Sequence, residues 1–418
     1  MPALLAAAQG SEFIVVASDV VYPAGDVNEY IPKFFVPFAA YRKPVYAIPG
    51  NHDWLDGLAG FMRHFCDAIA PAEKFRPSRP ARRRRLALIG HSILWRRPRA
   101  LEPGTLEQAA RLRGEADASG PAQPNMYFCI DTPHLRVVAI DTGILGRLDH
   151  DQGEWLKRVS AGPKPKLLIS GKPIWAGPQM SPRRILPPEG GPGSTGTIWG
   201  VVSAAENNYI AMIAGDVHHY ERHSVALPDG RRIECMISGA GGAFMSSTHQ
   251  IGRVSGDSVD ESTWTVFPTR ADSLRAYSIS LQRRRRRRSR WGSIRGIPAD
   301  EATAIIAERH GLDVVAELSR GEGAAASPPV VSRRSRRLAE IVYPRRAWFP
   351  ADRISEALDW DDPPFFKNFM RIGVEPGRVV LTAYGVSGLA RDVGDAPVID
   401  EVVIETGSHP EGGDDGSA

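Results

Sequence analysis

The sequence contains no run of about 18 apolar residues, so it predicts no transmembrane helix. Its first residues, MPALLAAAQG, lack a basic segment, which argues against a secretory signal. The cysteines are few (Cys66, Cys129 and Cys235), and none belongs to a CxxC pair, which excludes a zinc ribbon and a disulfide scaffold. We therefore expect buried, reduced thiols and a cytoplasmic location, unless a truncated N-terminus hides a secreted or membrane-associated form.

Positive charge is unevenly distributed along the chain, although the net charge is only +4. One arginine run spans 82–85 and a second spans 283–288. Such runs either hold polyanions through phosphate contacts or form solvated loops whose charges repel one another. No zinc finger, helix-turn-helix or interleaved aromatic pattern accompanies them, so no specific nucleic-acid binding is expected.

The hydrophobic pattern predicts an α/β fold in which buried strands alternate with helices and loops. Short apolar, β-branched runs predict strands over 12–18, 43–50, 126–132, 135–143, 166–171, 208–216 and 232–242, and a hairpin over 371–384. Helical spacing predicts helices over 27–41, 54–75 and 149–159, and one within 299–319. Composition predicts an insertion over 76–124, a loop-like segment over 253–300 and a linker over 320–336.

Four predicted strands end in residues with metal-ligating or phosphate-binding side chains: Asp19, Asn51-His52-Asp53, Lys172, and Asp216 with His218. The carboxyl ends of strands are where layered α/β enzymes place their chemistry. A carboxylate suits the bridge between two metal ions about 3.5–4 Å apart, and an imidazole suits a transition metal. These residues therefore point to metal-assisted chemistry.

Sequence blocks carry the decisive pattern: SDVVY at 18–22, GNHD at 50–53, GDVHHYER at 215–222 and ISGAGGAF at 237–244. Together they resemble the calcineurin-like metallophosphoesterase superfamily, and more narrowly its purple acid phosphatase-like branch. GNHD matches the family's GNH(D/E) block. Ser18 replaces a glycine of the GDxxY block, and Asp216 replaces the first histidine of the GHxHxYER block. The resemblance covers about 12–250 and implies a layered β-sandwich flanked by helices.

The resemblance also implies an activity, namely hydrolysis of a phosphomonoester or phosphodiester by a metal-bound hydroxide at a two-metal site. Under it, Asp19 bridges both ions, Tyr22 and His218 bind the first, Asn51 and Asp216 bind the second, and His52 faces the substrate. From the residues themselves we expect Asp53 either to hold His52 or another outer partner in position or to cap a helix, and His219 to be an outer partner that acts through hydrogen bonds. The two divalent or trivalent ions are drawn from Fe, Mn, Mg and Zn. The aspartate oxygen at position 216 favours Mn or Fe. The expected partner is a phosphorylated small molecule or another phosphoester substrate.

The sequence departs from the family at two further places. The family's Asp-x-His block on an earlier strand is absent, and we expect that the sequence is truncated there, so that the first strand is lacking. Gly171 stands where the family has a metal-binding histidine. We hypothesise that the neighbouring Lys172 points its ammonium toward the bound phosphate or toward Asp216, replacing part of a weakened metal's charge, which makes it a candidate catalytic residue beside His52.

These features predict a metallophosphoesterase domain over 1–250 and a basic loop, helix and linker region over 251–336. C-terminal strands that pack on the core are expected over 337–406, followed by a disordered tail over 407–418. Two alternative functions stay open: a degenerate, catalytically weak protein that serves as a binding or interaction module, and a polyanion-binding protein that uses the arginine runs.

Overall fold

This computed structural model describes residues 1–66, 100–113, 123–242, 244–259, 261–288, 296–314, 329–344, 366–387 and 396–407. The arginine run at 82–85, most of the predicted insertion, and the tail at 408–418 lie outside these ranges. Within them, no helix has both the length and the apolar character needed to cross a membrane.

Strands occur at every position where an apolar run predicts one, so those predictions are confirmed. The strands are β1 (Ile14–Ala17), β2 (Val45–Ile48), β3 (Phe128–Asp131), β4 (Arg136–Ile140), β5 (Lys166–Ser170), β6 (Trp175–Ala176), β7 (Gln179–Met180), β8 (Arg184–Ile185), β9 (Gly196–Thr197), β10 (Tyr209–Ala214), β11 (Tyr220–Ala226), β12 (Arg232–Ser238), β13 (Thr265–Phe267), β14 (Phe366–Glu375), β15 (Arg378–Ser387) and β16 (Val398–Glu405).

Helices cover the sheets and connect the strands. They are α1 (Pro2–Ala7), a π-helical turn (Ile31–Phe35) continued by α2 (Val36–Phe38), a 3₁₀ turn (Asp53–Asp56), α3 (Ala59–Phe65), α4 (Thr105–Arg113), α5 (His150–Ser160), α6 (Ile198–Ser203), 3₁₀ turns at Ala205–Asn207 and Thr248–Gln250, α7 (Arg270–Arg288), α8 (Ala299–His310) and α9 (Arg333–Val342). The Asp149 carboxylate caps α5 by accepting from the Gln152 N–H. The predicted helix over 149–159 is thereby confirmed.

A seven-stranded mixed sheet lies at the centre, in the order β13-β11-β12-β10-β5-β4-β3. Within it β4, β5, β10 and β12 run parallel, so their carboxyl ends meet at one edge. β1 and β2 form a separate parallel pair, and β14, β15 and β16 form an antiparallel sheet.

The core lies on both faces of the seven-stranded sheet. On one face Leu167 packs in a cluster with Val379 and Leu381 of β15. On the other face its neighbour Leu168 packs with Leu156 of α5, because successive side chains of a strand point to opposite faces. The layers are therefore helix, sheet and second sheet, which confirms the predicted α/β sandwich flanked by helices.

Strand β1 is half-buried along its length, whereas its apolar sequence predicts a buried strand. It pairs with β2 on one side, and no other strand pairs with it in the described part of the chain. The thiol prediction needs a similar correction. Cys66 and Cys235 are buried, but Cys129 is half-buried because it lies on β3, the last strand of its sheet.

The prediction of a loop-like segment over 253–300 is wrong for α7. Leu274, Tyr277 and Leu281 recur at helical spacing on this helix and pack in one cluster with residues of α8 and α9. Few apolar residues mark this face, and the arginines that follow are themselves good helix formers. The predicted linker over 320–336 is likewise wrong at its end, where Ser332 caps α9 by accepting from the Ser335 N–H.

Candidate active site

Asp19 and Tyr22 lie in the turn that follows β1. The Tyr22 hydroxyl donates to Asp19 Oδ2 at 2.9 Å, and the backbone N–H of His52 donates to Asp19 Oδ1 at 2.9 Å. Asp19 and its neighbour Ser18 both have positive φ angles, 43° and 106°. Such backbone strain in residues other than glycine is concentrated at functional sites.

Asp53, in the loop that follows β2, holds the turn after β1 in place through hydrogen bonds. Its completely buried carboxylate accepts from the N–H groups of Val20 and Gly50 at 2.9 and 3.0 Å and from the Tyr30 hydroxyl at 2.7 Å. Burial, reinforced by the charge of Asp19, raises the pKa of Asp53 to about 6, although these hydrogen bonds oppose the shift. Asp53 therefore positions the backbone that carries Asp19.

Glycines let the ends of β1, β2 and β10 approach one another closely. A Cβ on Gly50 would lie 2.0 Å from Asp19 Oδ1, and a Cβ on Gly215 would lie 1.8 Å from the Ala17 carbonyl oxygen. Both positions admit glycine alone without displacement of the neighbouring atoms. The close approach brings Asp216 and His218, which follow β10, to the loop of Asp19.

His218 completes a three-residue group. Its Nε2 lies 3.2 Å from the Tyr22 hydroxyl, its backbone N–H donates to Ser246 Oγ at 3.1 Å, and the ring of Phe244 packs edge-on against it with centroids 4.5 Å apart. Burial lowers the pKa of His218 to about 4. The imidazole is therefore neutral at neutral pH, which is the form that binds a metal.

The donor atoms of Asp19, Tyr22 and His218 suit a single cation. Metal–ligand distances of about 2.0–2.2 Å place adjacent ligand atoms roughly 3 Å apart. The Tyr22 oxygen lies 2.9 Å from Asp19 Oδ2 and 3.2 Å from His218 Nε2. The described residues contain no metal-holding group made of three or more His, Cys, Asp and Glu side chains. The present group differs in composition because its central donor is a phenol oxygen.

The His52 ring packs against this group, and Asn51 directly precedes His52 in the chain. The His52 ring packs on Tyr22 with centroids 4.1 Å apart, and its Nδ1 donates to the Pro23 carbonyl oxygen at 2.8 Å. The Pro23 carbonyl, not Asp53, therefore orients the imidazole. Asn51 is half-buried, and the structure gives its amide no hydrogen bond to another described residue.

Asp216, which the resemblance assigns to the second metal, is paired with a lysine. The Lys172 ammonium lies 2.5 Å from Asp216 Oδ1, and both side chains are mostly shielded from solvent. The Lys172 N–H donates to Thr142 Oγ1 at 2.9 Å, which fixes the turn after β5. Asp216 has a φ angle of 62°, so a third strained position belongs to the same site.

His219 is bonded to a buried carboxylate on β11. Its Nε2 lies 2.8 Å from Glu221 Oε2, and His223 Nε2 lies 2.7 Å from Glu221 Oε1. Burial alone would raise the pKa of Glu221, but these two imidazoles hold it below its usual range. His219 and Glu221 also line a cleft of about 310 Å³ together with Ser246 and Gln250.

Several residues of the site carry no signal in the sequence. Pro23, Thr142 and Ser246 are of types found everywhere, and each acts through contacts that only the fold creates, whereas Phe244 ends the glycine-rich block at 237–244. Ser18 is a partial exception, since it stands in a recognisable block. Its hydroxyl is buried without a hydrogen-bond partner among the described residues.

Comparison with known families matches residues 3–97 to the family model described as calcineurin-like phosphoesterase. The chain carries a calcineurin-like phosphoesterase segment. The superfamily predicted from the blocks at 18–22 and 50–53 is thereby confirmed. No curated protein matches the chain.

Among solved structures, a purple acid phosphatase, PPD1, from seeds of yellow lupin (Lupinus luteus) is similar at 12% identity, with a TM-score of 0.33. The similarity covers 61% of this chain and 41% of the lupin chain. At this level it carries no argument about the site. The purple acid phosphatase-like branch therefore stays a prediction from the four sequence blocks at 18–22, 50–53, 215–222 and 237–244.

Proposed function

We propose that this chain is a metal-dependent phosphoester hydrolase whose cation is held by Asp19, Tyr22 and His218. The observation that carries the proposal is the position of the Tyr22 hydroxyl, which lies within hydrogen-bond distance of both other donors. A carboxylate, a phenol and a neutral imidazole form a set that suits Mn or Fe. A bound cation would supply Lewis acidity at the phosphoryl group and would favour deprotonation of the attacking water.

Tyr22 must lose its proton to serve as a ligand. Burial, followed by the charge of Asp19, raises the pKa of Tyr22 above its ordinary value. Without a cation the phenol therefore keeps its proton and donates it to Asp19. Cation binding would be accompanied by proton release from this group.

His52 is the proposed proton donor. Because a carbonyl oxygen only accepts, the bond to Pro23 places a proton on Nδ1 and leaves Nε2 for the substrate side. In its charged form the ring carries a second proton on Nε2, which it can give to the departing alkoxide. The turn that carries His52 also donates its backbone N–H to Asp19, so the proton donor and the proposed ligand are held together.

The proposed substrate is a phosphorylated small molecule or another phosphoester. Ser246, whose hydroxyl accepts from the His218 backbone N–H, also lines the cleft of about 310 Å³.

The test combines metal analysis with turnover. Purified protein loaded with Mn²⁺ or Fe should retain metal and hydrolyse an aryl phosphate monoester or diester. Asp19→Asn should lose both properties, because its carboxylate touches two of the proposed site's groups. Asp229→Asn is the matched control, since Asp229 lies in the exposed turn before β12 and bonds to Arg231. Retained metal and turnover in Asp19→Asn would refute the proposal.

A catalytically weak binding protein is the second candidate. The Lys172–Asp216 ion pair favours it, because a lysine neutralises a residue that the family resemblance assigns to a metal. Metal retention without measurable hydrolysis of either ester would support this candidate over the first.

A further inference from the structure

The Lys172 ammonium occupies the side of the site where the family resemblance places a second metal ion. Its nitrogen lies 2.5 Å from Asp216 Oδ1. The side chains are only 17% and 20% exposed, so water competes little for either charge. A carboxylate oxygen engaged by an ammonium that is mostly shielded from water is a poor ligand for a dication, because binding would first require the ion pair to separate.

Position 171 offers no replacement ligand. Glycine has no donor side chain, and a Cβ added there would lie 2.8 Å from Thr142 Oγ1. The same hydroxyl accepts from the Lys172 N–H. The turn therefore requires a glycine at position 171, and its hydrogen bond to Thr142 fixes the backbone that carries Lys172.

Arg183 adds a second positive side chain on this side. A Cβ placed on Gly146 would lie 2.6 Å from Arg183 Nη1 and 3.1 Å from Lys172 Cδ, so the two side chains run side by side over that glycine. Two bonds to the Pro173 carbonyl oxygen, 2.9 Å from Nε and 2.6 Å from Nη2, hold the guanidinium in place. Adjacent positive charges make this region unfavourable for a dication.

We infer that the chain binds one metal ion, at Asp19, Tyr22 and His218, and that the Lys172 ammonium on Asp216 takes the place of a second. The inference rests on the proposed function. An ammonium has three N–H donors, and Asp216 uses one of them. Within the described part of the chain the other two have no acceptor and are left for phosphoryl oxygens, whose charge a fixed cation stabilises.

The first experiment counts ions. The full chain is saturated with Mn²⁺, free ions are removed, and bound manganese is measured by elemental analysis and by electron paramagnetic resonance. One uncoupled ion per chain is expected. Two ions per chain, with the spin-coupled spectrum of a pair, would overturn this inference and leave the proposed function standing. No bound ion would overturn both.

The second experiment asks whether Asp216 is a ligand. Asp216→Asn keeps the shape of the side chain, and we expect it to bind one Mn²⁺ with an affinity within about threefold of the unchanged protein. Asp19→Asn, the matched carboxylate-to-amide change, should weaken binding at least 10–100-fold, the range for partners in metal sites. An equal loss in Asp216→Asn would show that Lys172 moves aside for a metal, and would overturn the inference.

Removal of the ammonium is the third test. In Lys172→Met the Asp216 carboxylate is released, so a second, weaker Mn²⁺ binding event should appear in calorimetric titration. Its absence in folded protein would refute the exclusion of a second ion by Lys172. Thermal unfolding verifies folding, and Lys172→Gln replaces this variant if the methionine substitution prevents it.

Discussion

The Tyr22 hydroxyl lies 3.2 Å from His218 Nε2, although 196 residues separate the two along the chain. The same oxygen contacts Asp19 at 2.9 Å. Tyr22 therefore joins the loop after β1 to the loop after β10, and its phenol is the common neighbour of both other donors. This central position makes Tyr22 the most informative residue to alter.

Tyr22→Phe should weaken Mn²⁺ binding by at least roughly 10–100-fold, the range for residues that only support the ligands, because one ligand is lost while the ring is kept. With iron(III) the unchanged protein should show a visible phenolate-to-iron charge-transfer band, and the variant should lack it. Tyr384→Phe is the control, since Tyr384 stacks on Phe369 in the C-terminal sheet. A band that persists in Tyr22→Phe would show that Tyr22 is not a ligand.

His52→Ala should lower kcat for an alkyl phosphate by roughly 10²–10⁴-fold, as expected when a general acid is removed. The loss should be much smaller for 4-nitrophenyl phosphate, because its leaving group departs without protonation. Steady-state rates on both esters measure the difference, with His134→Ala in the β3–β4 turn as control. Equal losses on both esters would assign His52 to binding and not to proton donation.

Much of the site follows from strand ends that the sequence marks. Asp19, His52 and His218 each follow or lie near an apolar run. They meet because the carboxyl ends of β1 and β2, which form a separate pair, approach the carboxyl end of β10 in the seven-stranded sheet. The residues alone do not show that these three side chains lie close together, because that depends on how the strands pair. The resemblance of the blocks to the family implies that they share one site.

The hydrogen bonds that orient the side chains of the site cannot be predicted from the sequence. The bond from His52 to Pro23 depends on how two loops pack, and the bond from Lys172 to Thr142 joins positions 30 residues apart. Neither residue type nor spacing encodes such pairs. The sequence does not predict helix α7 for a different reason: its apolar face is narrow, and many of its other residues are charged.

Gly215→Ala tests the close approach of β1 and β10. The added Cβ would lie 1.8 Å from the Ala17 carbonyl oxygen, so backbone must move, and we expect the free energy of unfolding to fall by about 1–3 kcal/mol or more. Gly241→Ala is the matched control, because its Cβ would meet nothing within 4 Å. Urea unfolding of both variants measures the effect. Equal stability of the two variants would refute the tight contact.

His249 should make the fold sensitive to acid. It is completely buried near α7, with Nδ1 2.8 Å from Ser273 Oγ. Burial lowers its pKa to about 3, against about 6.5 in an unfolded chain. At pH values between these two pKa values, His249 binds a proton in the unfolded chain but stays neutral in the folded chain. The contribution to stability is therefore complete above pH 6.5 and declines as the pH falls toward 3.

The expected loss from His249 is about 2 kcal/mol between pH 7 and pH 5, since each pH unit below the unfolded pKa is worth about 1.4 kcal/mol. A buried carboxyl whose pKa is raised acts in the opposite direction. Burial raises the pKa of Asp141 to about 7, so its folded form binds the extra proton and gains stability in acid. The comparison must therefore be made between variants and not on one protein. His249→Gln should show a smaller drop in the free energy of unfolding between the two pH values, and an unchanged drop would mean that His249 does not resist protonation in the folded state.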